Sequence, residues 1–176
     1  MGVRRWRALL VGCGLIAGCG GPSNAPAQLP KVGVQQAAAV ATLPATATAD
    51  TPAGAAAFTR FFYAQVTAAF ATRNPELIRR YATAACATCN RYAGSVDRLV
   101  RERQRVTPVL FWIRFAESPA DDDAATARVD VQYDAPASSR YDARGRLILS
   151  EKEALRVNRT VTLQRFARGW KVQGIR

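Results

Sequence analysis

Residues 99–115 read LVRERQRVTPVLFWIRF, and the periodicity of the chain changes inside this stretch. Before Pro108, apolar residues recur at helical spacing, which indicates a helix. After it, Phe111, Ile113 and Phe115 alternate with side chains that point the other way, as in a strand. We therefore expect helices on the N-terminal side of this stretch and strands on its C-terminal side.

Three helices are predicted upstream. Thr51 is suited to cap the first helix and Pro52 to occupy its first position, and a Phe-rich apolar stripe follows. Arg73-Asn74-Pro75 ends this helix and starts a short second one. The apolar face of the second helix is Leu77, Ile78 and Tyr81. A third helix runs from about residue 87 to residue 104.

The downstream half predicts antiparallel strands. Residues 127–133 alternate between apolar and polar side chains, and Asp142-Ala143-Arg144-Gly145 is typical of a hairpin turn. Residues 157–163 form a long strand, which Ala167-Arg168-Gly169 turns into the last one. This order predicts an α+β fold, in which three N-terminal helices pack on a curved, cone-like antiparallel sheet of four to six strands.

The N-terminus has the pattern of a secretory signal. Arg4, Arg5 and Arg7 precede the apolar run of residues 8–17. As a helix this run spans about 15 Å, half of the roughly 30 Å hydrocarbon core of a membrane, so it is too short for a transmembrane helix. A basic segment followed by a short apolar run is typical of a signal peptide.

Leu15-Ile16-Ala17-Gly18-Cys19 resembles a bacterial lipobox. The resemblance implies a signal peptide over residues 1–18, cleavage before Cys19, and a diacylglycerol (with palmitate-type acyl chains) on its thiol. Two or more acyl chains attach a protein stably to a membrane. We therefore expect a lipoprotein on the extracytoplasmic face of the cell membrane. An ordinary signal peptide or an uncleaved anchor are the alternatives.

Residues 19–49 are predicted to be a disordered linker behind the lipidated cysteine. They are rich in Pro, Ala and Thr, have Lys31 as their one charged residue, and lack aromatic residues. Such a composition cannot bury enough apolar surface to offset the entropy of ordering. The globular domain is expected over residues 50–176.

Two resemblances cover the chain. Helices followed by a meander that ends in Gly169-Trp170-Lys171-Val172 resemble the cone-shaped fold of nuclear transport factor 2 and ketosteroid isomerase. The lipobox, the Pro/Thr linker and Cys86-Ala87-Thr88-Cys89 after the second helix resemble a family of uncharacterised actinobacterial lipoproteins. The first implies the fold, and the second implies a place in the cell envelope but no activity.

Cys86 and Cys89 remain as a pair once Cys13 leaves with the signal and Cys19 carries lipid. Outside the cytoplasm paired thiols tend to oxidise, and residues three apart at a helix start can form a disulfide. We expect a structural disulfide. A redox pair and half of a zinc site shared by a dimer are the alternatives, and we predict neither a metal nor a cofactor.

The composition argues against an enzyme. The chain has no His, which excludes imidazole bases and His-ligated metals. Its carboxylates, including Asp130 and Asp134, fall on polar phases of strands or in the loop-like run Asp121-Asp122-Asp123. Surface acids of this kind keep ordinary pKa values, so we predict no catalytic residues.

Two sets of residues are candidate binding sites. Aromatic side chains that could line a cone pocket, or simply fill a core, are Phe62, Tyr63, Tyr92, Trp112 and Tyr133. Two basic clusters could bind an anionic partner: Arg98, Arg101 and Arg105, and Arg140, Arg144 and Arg146. The formal charge of +12 rests almost wholly on Arg, so codon bias is an alternative explanation of the surplus.

These features together predict a non-enzymatic binding or scaffold module of the bacterial cell envelope. Its partners are the membrane, through the lipid, and an anionic envelope polymer or a protein. A signal sequence directs the chain out of the cytoplasm, so nucleic acid is not expected as a partner. The alternatives are a carrier of a small apolar ligand or lipid in the cone pocket and a thiol–disulfide redox protein.

Overall fold

The structure is a computed structural model that describes residues 40–107, 111–119 and 125–176. The predicted signal peptide, Cys19, most of the predicted linker and the acidic run Asp121-Asp122-Asp123 lie outside the described residues. The described residues belong to one compact unit, Gln36–Arg176.

The described helices precede the strands, as the sequence predicts. A 3-10 helix at Ala45–Thr48 is followed by α1 (Pro52–Thr72), α2 (Glu76–Arg79) and α3 (Ala87–Arg101). The strands that follow are β1 (Arg105–Val106), β2 (Trp112–Glu117), β3 (Thr126–Ala135), β4 (Ser138–Tyr141), β5 (Leu147–Glu151), β6 (Ala154–Phe166) and β7 (Gly169–Ile175).

The strands form two antiparallel sheets rather than one. A four-stranded sheet has the order β2-β3-β6-β7, and a three-stranded sheet has the order β1-β4-β5. Pro136 lies between β3 and β4 and has no N–H to donate to a sheet, so the chain leaves one sheet for the other there. The predicted α+β class is confirmed, and the expected single sheet of four to six strands is divided in two.

The helix termini follow the sequence signals. The Thr51 hydroxyl accepts a hydrogen bond from Gly54 N at 3.0 Å, beside Pro52 at the first helical position. Helix α1 ends at Arg73, which adopts the left-handed conformation with φ 57°. Cys86 caps α3, because its Sγ accepts from Cys89 N.

The core lies between α1, α3 and the inner face of the four-stranded sheet. Phe58, Phe62 and Val66 of α1 are almost fully buried. The sheet contributes alternate residues of its two long central strands: Val129 and Val131 of β3, and Val161 and Leu163 of β6, with Val129 paired to Val161. This core lies within the compact unit Gln36–Arg176, so the unit has its own hydrophobic core.

Strand β2 changes phase in the middle. Its register shifts between Ile113 and Phe115. Ile113 packs against the core, but Phe115 is exposed and Ala116 is buried instead. The prediction that Phe115 continues the inward phase is wrong, because the irregularity turns the following side chains to the other face.

The end of the predicted linker is part of the folded unit. Ala47 is 1% exposed, and Leu43 packs against the core. The indole N–H of Trp170 donates to Ala49 O at 3.0 Å, and Arg165 donates to Thr48 O at 2.9 Å. The folded unit therefore begins before the predicted boundary at residue 50, because this segment gains contacts with residues distant in sequence.

Candidate functional site

A cavity of about 360 Å³ opens between α3 and the two sheets, and we call it the mouth cavity. Its apolar lining is Phe70, Tyr92, Leu99, Val106, Phe111, Ala135, Pro136, Leu149 and Ala154. Its polar lining is Arg91, Ser95, Ser138, Arg140, Glu151 and Lys152. The volume lies at the lower end of the range for small-molecule sites, which are mostly apolar with a few polar groups.

The floor of the mouth cavity is an aromatic cluster. The Phe111 ring lies 5.2 Å from the Tyr63 ring, 5.1 Å from the Tyr133 ring and 6.2 Å from the Tyr92 ring, measured between centroids. Edge-to-face packing of this kind stabilises aromatic pairs beyond the area that they bury. Phe111 and Tyr92 line the cavity, and the buried rings of Tyr63 and Tyr133 contact Phe111 from the core, so this part of the cavity wall is aromatic.

The predicted pocket residues separate into three groups. Phe62, Tyr63 and Tyr133 are buried members of the core and do not line the mouth cavity. Tyr92 does line it. Trp112 is 58% exposed on β2 and does not line the mouth cavity. The sequence could not show this, since aromatic residues fit both a core and a pocket at the same spacing.

The tyrosines beside the cavity are held neutral. Burial, reinforced by Tyr133, raises the pKa of Tyr92 to about 12. Burial raises the pKa of Tyr63 further in the same direction. Uncharged phenols suit a site for a ligand with an apolar body, because they add no negative charge to the wall.

Arg140 is the polar residue of the mouth cavity that most clearly indicates a bound ligand. Its Nε is buried and has no hydrogen-bond partner among the described residues. A buried donor without a partner is costly in a native protein unless a water or a ligand accepts from it. Arg91 and Lys152 add two further cations to the lining, against the one carboxylate of Glu151.

The predicted basic clusters are brought partly together. Val106 pairs with Arg140 on adjacent strands, and Arg105 lies 5.6 Å from the Tyr141 ring. Arg105 and Arg144 line a separate recess with Arg73 and Arg103. Arg98 and Arg101 are exposed in the last turn of α3.

The sequence could show neither which of these arginines form ion pairs nor which cations come together from distant parts of the chain. Arg146 is neutralised by an ion pair with Asp142, at 2.7 Å. Sequence reasoning missed Arg91 and Lys152, because they come from different elements and no local pattern connects them.

Cys86 and Cys89 are joined by a disulfide, with their Cα atoms 5.2 Å apart. Both residues are almost fully buried at the start of α3. Thiol–disulfide exchange requires access to a sulfur atom, so the burial favours a structural role. Within the described ranges, no group of three His, Cys, Asp or Glu residues is placed to hold a metal ion.

Asp134 corrects the prediction that its carboxylate is a solvated surface acid. It is 3% exposed, and it accepts hydrogen bonds from Arg114 Nε at 2.7 Å and from Arg156 N at 2.8 Å. The Arg114 hydrogen bond, reinforced by the Arg156 amide, holds the pKa of Asp134 below its usual value. The register shift after Tyr133 turns this residue inward, which alternation alone cannot predict.

None of the helices within the described ranges combines the length and apolar character that a membrane span needs.

Comparison with known proteins identifies a family. The model of a family of unknown function, DUF6318, matches residues 34–176. No curated protein matches the sequence.

Two solved structures are similar to the chain. The intermembrane space region of the chloroplast protein ARC6 is 9% identical with a TM-score of 0.51, covering 71% of this chain and 94% of that one. Aln2 from a Streptomyces species is 15% identical with a TM-score of 0.40, covering 67% of this chain and 84% of that one. The likeness to the ARC6 region concerns the fold alone.

Proposed function

We propose that this chain, which belongs to the family of unknown function DUF6318, is a non-enzymatic binding module held at the extracytoplasmic face of a cell membrane. Its mouth cavity binds a small ligand that has an apolar body and an anionic end. The observation that carries this proposal is the Arg140 Nε, a buried donor that no described residue accepts from, in the wall of a largely apolar cavity.

The lining defines the class of ligand. Phe111, Tyr92 and Leu99 supply an apolar surface for an alkyl chain or an aromatic ring. Arg140 supplies a planar donor that suits a carboxylate, a sulfonate or a phosphate. The surplus of cations in the lining also favours an anionic end over a neutral one.

The ligand proposal is tested with two probes, anilinonaphthalene sulfonate and decanoate. We expect saturable binding of the fluorescent probe at one site and its displacement by decanoate. Arg140→Met removes the donor but keeps an unbranched side chain. A hydrogen bond to a charged group contributes about 1.5–3 kcal/mol, so the affinity should fall roughly 10- to 100-fold.

Arg101→Met is the matched control for this experiment. Arg101 loses the same charge but is exposed at the end of α3 and does not line the mouth cavity. The Arg101→Met variant should bind the fluorescent probe with the same affinity as the wild type. Equal affinities of the Arg140 and Arg101 variants, or no displacement by decanoate, would refute the ligand proposal.

Membrane attachment through Cys19 is a separate part of the proposal and rests on the Ile16-Ala17-Gly18-Cys19 sequence. Cys19→Ala should abolish acylation and release the protein from membranes or trap it as the precursor. Cys13→Ala is the matched control and should be acylated normally, because Cys13 leaves with the signal peptide. A mature-length Cys19→Ala protein in the membrane fraction would contradict this part.

A protein partner is the second candidate function. Strand β5 is an edge of its sheet, and Leu147 and Ile148 are 59% and 44% exposed. An exposed apolar edge strand favours the addition of a strand from a partner. Ile148 does not line the mouth cavity, so Ile148→Lys should weaken association with such a partner and leave probe binding unchanged.

A further inference from the structure

We infer that the end of the folded unit formed by the β6–β7 hairpin binds the headgroups of anionic phospholipids. The binding surface consists of Arg80, Arg168 and Lys171 beside the exposed ring of Phe166, and we call it the hairpin patch. It goes beyond the proposed ligand site, because no residue of the hairpin patch lines the mouth cavity.

The hairpin patch surrounds a second cavity, of about 370 Å³. The lining residues are Leu43, Ala47, Phe58, Arg80, Tyr81, Phe166, Arg168, Gly169, Trp170 and Lys171. Four separate parts of the chain therefore meet here: the segment before α1, α1 through Phe58, the end of α2 and the hairpin. This convergence explains why no local sequence pattern revealed the site.

Backbone hydrogen bonds hold the end of α2 against the hairpin. Thr83 N donates to Val172 O at 2.8 Å, and Val172 N donates to Tyr81 O at 2.9 Å. These bonds pair Ala82 with Val172 in a parallel bridge, and Arg80 and Lys171, which lie shortly before these two residues, both line the second cavity. The backbone that carries Arg80 and Lys171 is thus held in place by the fold, and Arg168 lies in the turn between β6 and β7.

The charge of the hairpin patch has one sign. Among the described residues that line the second cavity, none is acidic, whereas the mouth cavity includes Glu151. Arg80, Arg168 and Lys171 form no ion pair with a described carboxylate. Cations that lack internal counterions attract an anionic surface, and each contributes about fivefold to membrane affinity.

An aromatic ring accompanies these cations. Phe166 is 40% exposed at the end of β6, immediately before the turn that carries Arg168. Lys171 Nζ lies 5.6 Å from the centre of the Phe166 ring. An exposed aromatic ring between cations suits the boundary between lipid headgroups and acyl chains.

The course of the chain favours a membrane as the occupant of the hairpin patch. Leu43 and Ala47 line the second cavity, so the segment that follows the predicted linker crosses this end of the unit. If Cys19 is lipidated, as proposed, the 23 residues between it and Leu43 allow a reach of at most about 80 Å even when fully extended. The hairpin patch would then stay near a membrane surface throughout the life of the anchored protein.

The test uses residues 20–176, which lack Cys19 but contain every described residue and the whole described core. Circular dichroism establishes that each variant is folded. Sedimentation with vesicles of phosphatidylcholine, alone or mixed with phosphatidylglycerol, measures binding. We expect binding to the anionic vesicles only. Binding should weaken steeply between about 50 and 500 mM salt, as the Debye length falls from about 14 to about 4 Å.

Matched variants separate the hairpin patch from the general positive charge. Arg168→Gln/Lys171→Gln should weaken binding roughly 25-fold, from two factors of about five. Arg101→Gln/Arg144→Gln removes the same number of charges, but from the two basic clusters that the sequence predicted. This control variant should change vesicle binding by no more than about twofold. Phe166→Ser should weaken binding to the same vesicles without changing its salt dependence.

Three results would overturn the inference. The first is that the protein does not bind anionic vesicles. The second is that the two double variants lose the same amount of affinity for vesicles. The third is that the hairpin-patch variants lose affinity for an anionic wall polymer but not for vesicles. Because the fragment of residues 20–176 lacks Cys19, a failure of acylation in cells does not affect the result of the vesicle experiment. Probe binding in the mouth cavity should be unchanged in the hairpin-patch variants, which separates this inference from the ligand proposal.

Discussion

Gly54 is the position at which the structure makes its sharpest prediction. It lies in the first turn of α1, and a Cβ built there would overlap the carbonyl oxygen of Ala49 and lie 2.9 Å from its carbonyl carbon. The overlapped atoms are backbone, so they cannot move away as a flexible side chain would. Gly54→Ala must therefore displace the segment that carries Ala47 and Ala49.

The size of the effect follows from the contacts of that segment. An exposed Gly→Ala change within a helix normally stabilises a protein by about 1 kcal/mol. Here the displacement breaks the Trp170–Ala49 hydrogen bond and leaves a mostly buried indole N–H unpaired, at a cost of about 1–3 kcal/mol. Shifting the buried Ala47 adds about 1 kcal/mol. We expect a net destabilisation of roughly 1–3 kcal/mol.

Gly94 provides the matched control. It lies within α3, and a Cβ there would meet no described atom within 4 Å apart from the backbone of its own helix. Gly94→Ala should therefore stabilise the protein by about 1 kcal/mol. Thermal unfolding followed by circular dichroism should move the two midpoints in opposite directions, by about 3 °C upward for Gly94→Ala and about 3–10 °C downward for Gly54→Ala.

Limited proteolysis locates the change. Elastase prefers small residues, and residues 45–49 are rich in Ala, so Gly54→Ala should speed cleavage in this segment and Gly94→Ala should not. If Gly54→Ala raises the unfolding midpoint as Gly94→Ala does, the segment before α1 does not pack as described. The folded unit would then begin at residue 50, as the sequence alone suggested.

Three further predictions concern stability. Replacing Cys86 and Cys89 by Ser should lower the free energy of unfolding by up to about 2 kcal/mol, because the disulfide closes a short loop. A thiol assay of residues 20–176, in which Cys86 and Cys89 are the only cysteines, should find both sulfurs oxidised with and without unfolding, and a fast-reacting thiol would contradict the structural role. The folded-state pKa of Asp134 lies below its unfolded value of about 3.9, so its stabilising effect is complete above that pH and is lost as the pH falls through the folded pKa. Urea unfolding should therefore show Asp134→Asn less stable than the wild type at pH 7, with the difference shrinking below about pH 4, and a difference independent of pH would refute the role of its charge. Arg73→Gly should stabilise the protein by about 1 kcal/mol, because Arg73 adopts φ 57° at the end of α1, and a lower unfolding midpoint would show that its side chain makes a contact that outweighs the strain.

The sequence predicted the order of elements because their signals are local. Thr51 and Pro52 start α1 with a hydrogen bond and a fixed φ, and the change of period near Pro108 separates helices from strands. Cys86 and Cys89 are close in space because they are three residues apart. Each of these features depends on neighbours within a few residues, so it can be inferred before any tertiary contact is known.

The structural features that the sequence could not give depend on contacts between distant residues. Irregular register turned Phe115 outward and Asp134 inward, although simple alternation predicted the opposite for both. Trp170 and Arg165 drew the end of the predicted linker into the folded unit.

The two candidate binding sites also depend on contacts between residues that are distant in sequence. Arg140 in the mouth cavity and Arg80 in the hairpin patch gained their neighbours from other elements of the fold. The sequence by itself thus determined the class of fold and the order of its parts, because helix and strand signals act over a few residues. Only the tertiary structure decided which side chains meet in each cavity, because those side chains come from segments that lie far apart along the chain.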